Sequence, residues 1–532
     1  MRTSDQDGRA TDTTKITQTR KNRALRAAHL VDPVDVVADT GVSSSGHRIL
    51  MVDLNNFATF PTLSIGILVS SLRNAGHQVR LLCPLAYDVP AAERERSETR
   101  FEDVMRRVHL STNPLLQAAR SLAHRSYIWK TEKAHPVVIS ETRKELEKKP
   151  DVLLLSAYLN HYNSVVEIAK IAKEMQIPVL LGGPMLNLPE TADVWRKIPG
   201  VTAVVGAESD VTIKNLVETT IRGGDLLGFS GVALPDGRRS EIAPPLRRLD
   251  QIPIPDFTDF PWDRYPVRVI PIMTGRGCQW GKCMFCSDVI TASGRTFRTR
   301  PIEAVMLEIE ELSRRHQTTN FIFIDIKLNS YPDMMREIAN NIQRLVRGAE
   351  WIGTVHVDQR EDNGLARNDL VAAVRGGMRR VSFGLESGSQ RMLDRMQKGC
   401  LVERNSEFIR HAHEAGLSIR CTMFRGFPGE TADDMRATVK FLEAHQNYID
   451  RVRFVDFKLS EGTPIHKALM EKNPIAETLL VTRSDSKHAK IFYDRAHVDR
   501  HYRREVAKAC SIVHQINKGN LRNSARQFDG MM

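Results

Sequence analysis

Short apolar runs alternating with amphipathic stretches organise most of this chain. Continuous apolar runs at 49–54, 79–83, 151–157, 177–181 and 201–205 predict strands, each too short for a buried helix. Between them, 63–74 has helical spacing, with Leu63, Ile67, Val69 and Leu72 apolar and Ala75-Gly76 closing it. Residues 165–175 are amphipathic in the same way, while 84–150 are charged, helical in pattern and read as an insertion. Non-alternating strands separated by helices predict a parallel, doubly wound, Rossmann-like sheet over 47–229. Ligands of such sheets bind at the carboxyl ends of the strands, which makes Ser156, Gly182, Gly183 and Gly206 candidate ligand contacts.

Residues 230–266 interrupt the alternation. They are rich in Pro and Arg and read as a linker, with Pro253, Pro255 and Pro261 arguing against a helix. The alternation restarts over 267–464, with strands expected at 267–274, 320–327, 351–357, 380–386, 418–424 and 451–459. Pro301 opens a helix whose Ile302, Val305, Met306, Ile309 and Leu312 share one face. Six βα units predict a partial or full TIM-type β/α barrel with its site at the strand carboxyl ends. The remainder, 465–532, reads as a helical, basic tail.

Composition narrows the class. Of 532 residues, 41% are hydrophobic and 26% charged, as in a globular protein. No apolar run approaches the roughly 20 residues of a membrane helix. Residues 1–46 lack a signal-peptide core and read as a disordered leader, so a cytoplasmic protein without a membrane segment is expected. The net charge of +12 is not gathered into a basic stripe, and no nucleic-acid module is present, so no nucleic-acid partner is expected. Seven cysteines in so long a chain argue against a disulfide framework. Four of them, Cys83, Cys400, Cys421 and Cys510, are scattered and read as packed thiols.

The other three are clustered. Thr274-Gly275-Arg276-Gly277-Cys278-Gln279-Trp280-Gly281-Lys282-Cys283-Met284-Phe285-Cys286 directly follows the first barrel strand. Three thiolates on one glycine-containing loop can fold around one metal centre. An iron–sulfur cluster held by three thiolates rather than four keeps one iron open to a further ligand. Zinc, with a histidine arriving from elsewhere in the fold, and unligated thiols are the alternatives.

The C-x4-C-x2-C loop at this place resembles that of the radical SAM superfamily. Its long first gap, with Trp280-Gly281 inside it and Phe285 before the last cysteine, is similar to the branch that carries an N-terminal cobalamin domain. Phe383-Gly384-Leu385-Glu386-Ser387-Gly388-Ser389, Lys398-Gly399 and Phe424-Arg425-Gly426-Phe427-Pro428-Gly429-Glu430-Thr431 follow in the order that branch shows. The resemblance implies a 4Fe-4S cluster on Cys278, Cys283 and Cys286, with S-adenosylmethionine (SAM) on its fourth iron. It implies Phe285 along the adenine, Glu386 and Ser387 on the ribose or methionine part of SAM, and Asp325 facing the SAM ammonium. Gly182-Gly183-Pro184 and Gly206-Ala207-Glu208-Ser209-Asp210 match the cobalamin rim, although Gly206-Ala207 stands for the commoner Gly-Glu-Gly. No Asp-x-His-x-x-Gly follows Asp53, so any cobalamin is expected without a histidine ligand from that loop. The implied activity is radical methyl transfer to an unactivated carbon of a natural-product or peptide substrate, with an electron donor such as flavodoxin or ferredoxin as partner. Rearrangement or cyclisation without methyl transfer, and a cobalamin- or cluster-based sensor, are the competing readings.

Overall fold

The computed structural model describes residues 46–54, 59–89, 97–109, 113–287, 297–495 and 499–531. All of the expected leader but residue 46, and the segment 55–58 after Asp53, lie outside the described residues.

The N-terminal sheet contains β1 (Arg48–Asp53), β2 (Gln78–Leu82), β3 (Val152–Ser156), β4 (Val179–Gly182), β5 (Ala203–Val205) and β6 (Val232–Ala233), in the order β2-β1-β3-β4-β5-β6. The first five are parallel and β6 is antiparallel to β5. β3 and β4 are buried along almost their whole length, because helices cover both faces. The helix Leu63–Asn74 falls at 63–74, and Tyr162–Glu174 begins three residues before the amphipathic stretch. The insertion is helical, as Arg100–His109, Pro114–Glu132 and Pro136–Glu147.

The expected linker is not a bare connection. Its Val232–Ala233 is the edge strand of the first sheet, and its aromatics pack between the two halves. Phe257 is fully buried against Gly66, where a Cβ would fall 2.3 Å from the Phe257 ring, and Trp262 stacks on His316 with centroids 4.7 Å apart. Arg73 pairs with both Asp256 and Asp259. Extended, proline-rich chain has no periodicity to read, yet it buries aromatic area as effectively as a helix.

The second sheet begins with β7 (Ile270–Ile272). A two-stranded stem, β8 (Gly275–Arg276) and β9 (Arg298–Thr299), carries the cysteine loop between its strands. The sheet continues with β10 (Asn320–Phe323), β11 (Glu350–Val355), β12 (Met378–Glu386), β13 (Ser418–Arg425) and β14 (Arg451–Asp456). Its order is β14-β13-β12-β11-β10-β7, all parallel, a six-stranded partial barrel. Alternation along the strands sorts the side chains. Phe321, Phe323, Trp351, Val381, Phe383, Cys421, Met423 and Val452 join the core under the outer helices. Ile322 and Ile352 instead point inward, where they meet Phe528 and Met531.

Phe528 belongs to a short helical turn, Asn523–Phe528, that stops the lower end of the barrel. The fully buried Arg380 donates to the Phe528 carbonyl, and Arg451 donates to the Gly519 carbonyl and pairs with Asp529. The tail is helical at Pro464–Met470 and Arg500–Asn517 but not throughout. β15 (Leu459–Ser460), β16 (Leu479–Asp485) and β17 (Lys490–Arg495) form a small antiparallel sheet there. β16 lies open to solvent, with Leu480 and Val481 about half exposed, so no buried stripe announced it.

Candidate active site at the facing strand ends

The cysteine loop is fixed at its root and along its length. Asp325, just past β10, accepts hydrogen bonds from the Thr274 amide and hydroxyl and from the Gly275 amide. Burial pushes this carboxyl up to about 6 against the pull of those donors. Asp325 thus holds the stem that carries Cys278; its oxygens are turned to that stem. Beyond the loop, Arg300 donates to the Met273 carbonyl and forms a buried ion pair with Glu308. Further along, the Trp280 indole donates to the Gln397 carbonyl at 2.7 Å, and the Met284 amide donates to the Met396 carbonyl at 2.9 Å. Gly399 lies against the Trp280 ring, where a Cβ would come within 2.2 Å. The Lys398-Gly399 turn picked out in the sequence is therefore the surface on which the cysteine loop is laid.

Cys278, Cys283 and Cys286 are all half-buried on this loop, and none of the seven cysteines is in a disulfide. Among the described residues, no three His, Cys, Asp or Glu side chains converge closely enough to hold a metal ion by themselves. Three thiols on one loop are the donor set of an iron–sulfur cluster that keeps one iron open. Burial, opposed by Lys398, pushes the Cys283 thiol up to about 11, so metal binding there must displace a proton.

Above the barrel lies a charged centre that the motifs only partly indicated. Glu386 sits at φ 60° where the β12–β13 register breaks between Gly384 and Glu386. This left-handed turn folds its carboxylate back over Gly384 to meet Lys398 at 3.0 Å. The partner is a lysine. Against the pull of burial, the Glu386 carboxylate holds the Lys398 ammonium charged. That ammonium also lies 5.6 Å from the centre of the Phe285 ring, which packs edge-on against Phe424 at 4.8 Å. Lys327 pairs with Asp358, to which Arg360 also donates. His356 is buried among these cations; burial first, then Lys398 and Lys327, hold it well below its usual range and neutral.

The structure brings Cys278, Cys283, Phe285 and Glu386 into one neighbourhood. Ser387 is directed elsewhere, since its buried hydroxyl meets Thr438 and accepts from the Ser389 amide. Lys398, His356 and the Lys327–Asp358 pair were missed. Lys398 had a signal in the Lys-Gly turn, but the others lie just past the ends of β10 and β11, in irregular segments with no period to read.

At the first sheet, Ser156, Gly182 and Gly206 stand at the carboxyl ends of β3, β4 and β5, all half-buried. The glycines differ in what requires them. A Cβ at Gly183 (φ 153°) would fall 1.9 Å from the Ala157 carbonyl oxygen, and one at Gly206 2.4 Å from that of Leu186. Those two serve close backbone packing. Gly182 has only the Val205 carbonyl, 3.7 Å from its would-be Cβ, and leaves room for a ligand.

The two rims meet. Glu208 and Asp210, on the turn after β5, pair with Arg298 and Arg276 on the two strands of the cysteine-loop stem.

Comparison with known proteins agrees with this geometry. Residues 272–442 match the family model of the radical SAM superfamily. The chain is 28% identical over 370 residues to an uncharacterized methyltransferase, PH0819, of Pyrococcus horikoshii, covering 67% of this chain and 77% of that one. It is 27% identical over 385 residues to the anaerobic magnesium-protoporphyrin IX monomethyl ester cyclase of Rubrivivax gelatinosus, covering 65% of this chain and 67% of the cyclase. Among solved structures, the cobalamin-dependent S-adenosylmethionine radical enzyme OxsB with aqua-cobalamin and S-adenosylmethionine bound aligns with a TM-score of 0.65 at 15% identity, over 88% of this chain and 66% of that one. The radical S-adenosylmethionine methyltransferase TsrM of Kitasatospora setae aligns with a TM-score of 0.58 at 17% identity, over 84% of each chain. Among the described residues no helix is long and apolar enough to cross a membrane. Residues 272–442 thus match the radical SAM domain, with the cysteine loop inside the matched segment, and the fold around it is similar to that of the cobalamin-dependent enzymes.

Proposed function

We propose that this radical SAM enzyme carries a 4Fe-4S cluster on Cys278, Cys283 and Cys286, binds SAM beside it and cobalamin on the rim of the first sheet, and methylates an unactivated carbon of a small natural-product or peptide substrate. When bound, these groups supply an electron, a 5′-deoxyadenosyl radical and a transferable methyl group. The chain's own work is alignment and shelter. Trp280, Met284 and Asp325 fix the cysteine loop, and Lys398, held by Glu386, offers an ammonium next to Phe285 for a carboxylate or ring of the bound cofactor. Gly182 keeps space open at the first rim.

What carries this reading is the pair of ion pairs joining the rims, Arg276–Asp210 and Arg298–Glu208, because methyl transfer needs both cofactor sites to face one substrate. An external electron donor such as flavodoxin or ferredoxin completes the scheme. The likeness to the anaerobic cyclase favours one alternative, ring closure without methyl transfer. Product analysis of the anaerobically reconstituted enzyme separates them. Methyl transfer yields one S-adenosylhomocysteine for each 5′-deoxyadenosine, with labelled SAM methyl appearing in the substrate. Deoxyadenosine without S-adenosylhomocysteine replaces methyl transfer with cyclisation, and absence of deoxyadenosine overturns both.

A further inference from the structure

The inward face of the last barrel strand carries a charge with nothing to meet it. Val452 belongs to the outer core and Phe454 packs against it, so Arg451, Arg453 and Val455 point inward. Arg451 is engaged by the tail, as is Arg380 on β12. Arg453, one step higher in the lumen, is exposed and has no hydrogen bond or ion pair among the described residues.

Its height in the barrel follows from strand register. Gly384 lies opposite Thr422, and Thr422 opposite Arg453. Two strand spacings put the Arg453 backbone roughly 10 Å from that of Gly384. Over Gly384 lie the Glu386 carboxylate and the Lys398 ammonium, paired with each other beside Phe285. Val455, two residues on along the same face, and Ile324, inward by the same alternation just past β10, are each 41% exposed.

We propose that Arg453 is a specificity-determining residue that binds an anionic group, a carboxylate or phosphate, at one end of a substrate whose body is apolar. The body then lies along Ile324 and Val455, and the reacting carbon sits on it, away from the acid. This rests on the proposed function only in taking the lumen as the substrate site. A guanidinium in a lumen that also exposes apolar side chains can recognise an amphiphilic acid through a charged hydrogen bond that the neutral analogue cannot make.

The test is calorimetric titration of the full chain with octanoate, 1-octanol and, separately, SAM, without reductant. Octanoate is expected to bind more tightly than octanol. Arg453→Gln should weaken octanoate roughly ten- to hundredfold, Arg453→Lys much less, and neither should change octanol or SAM. Equal binding of octanoate and octanol, no measurable octanoate binding, or an octanoate affinity indifferent to Arg453→Gln overturns the proposal. Weakened SAM binding in Arg453→Gln also overturns it, by assigning the arginine to the carboxylate of SAM. Because no turnover is needed, a chain that never cleaves SAM would sink the proposed function and leave this result standing.

Discussion

The two terminal nitrogens of Arg276 donate to the two carboxylate oxygens of Asp210, each at 2.7 Å. Asp210 is buried and Arg276 nearly so. The fork joins the turn after β5 to the first strand of the cysteine-loop stem, while Arg298 does the same from the second strand to Glu208. Removing one partner of such a pair strands a charge and typically costs roughly 3–5 kcal/mol. Asp210→Asn and Arg276→Gln should each lower stability by about that much. A double-mutant cycle in chemical denaturation should return a coupling of about 0.5–3 kcal/mol. Strictly additive losses would mean the two rims are not joined through this pair.

The contrast between adjacent glycines gives a clean probe of the first rim. Gly182→Trp should keep the fold and abolish cobalamin binding, since its side chain enters open space. Gly183→Ala should instead lower the melting temperature, because its methyl meets the Ala157 carbonyl at a positive φ. Cobalt content and thermal unfolding of both variants read the difference. Full cobalamin loading of folded Gly182→Trp would move the site elsewhere.

Gly384 is where Glu386 and Lys398 need room. A methyl there would fall 2.2 Å from the Glu386 carboxylate and 2.6 Å from the Lys398 nitrogen. Gly384→Ala should therefore separate the pair, leaving iron content intact while SAM binding weakens at least about tenfold, the scale of one charged hydrogen bond. Equilibrium binding of SAM to the reconstituted variant checks this, and unchanged affinity would detach the pair from SAM.

Cys283→Ala should lose the cluster, and with it SAM cleavage. Reconstituted wild-type chain should hold about four irons with matching sulfide. Iron and sulfide analysis is the check, and stoichiometric zinc without sulfide in protein purified anaerobically would reverse the assignment.

Much of the architecture was legible because burial leaves long apolar signatures. Strands such as Val152–Ser156 and Ser418–Arg425, buried on both faces, read almost to the residue. The cysteine loop was legible from spacing alone. The linker's packing was not, since Phe257 and Trp262 act one at a time rather than in a period. Nor was the tail hairpin, whose strand Leu479–Asp485 buries little. Within the site, Glu386 could be found by its motif, but its partner could not, because Lys398 arrives from a turn 12 residues on. Asp325 was found as an acid at a strand end, while its commitment to Thr274 and Gly275 depends on where the neighbouring strand stops.

With Phe528 and Met531 seated in its lower end, the barrel is a vessel stopped at the bottom. That plug fills the lower end, so a ligand of the lumen comes and goes from the side of the strand carboxyl ends or by the unclosed edge between β7 and β14. Through the carboxyl-end mouth, traffic is last in, first out. A ligand held at the depth of Arg453 must load before anything that covers it, and its product departs only after the cover lifts. Spent product lying over that depth is then an obstacle to the next substrate even where it has lost its affinity for the walls.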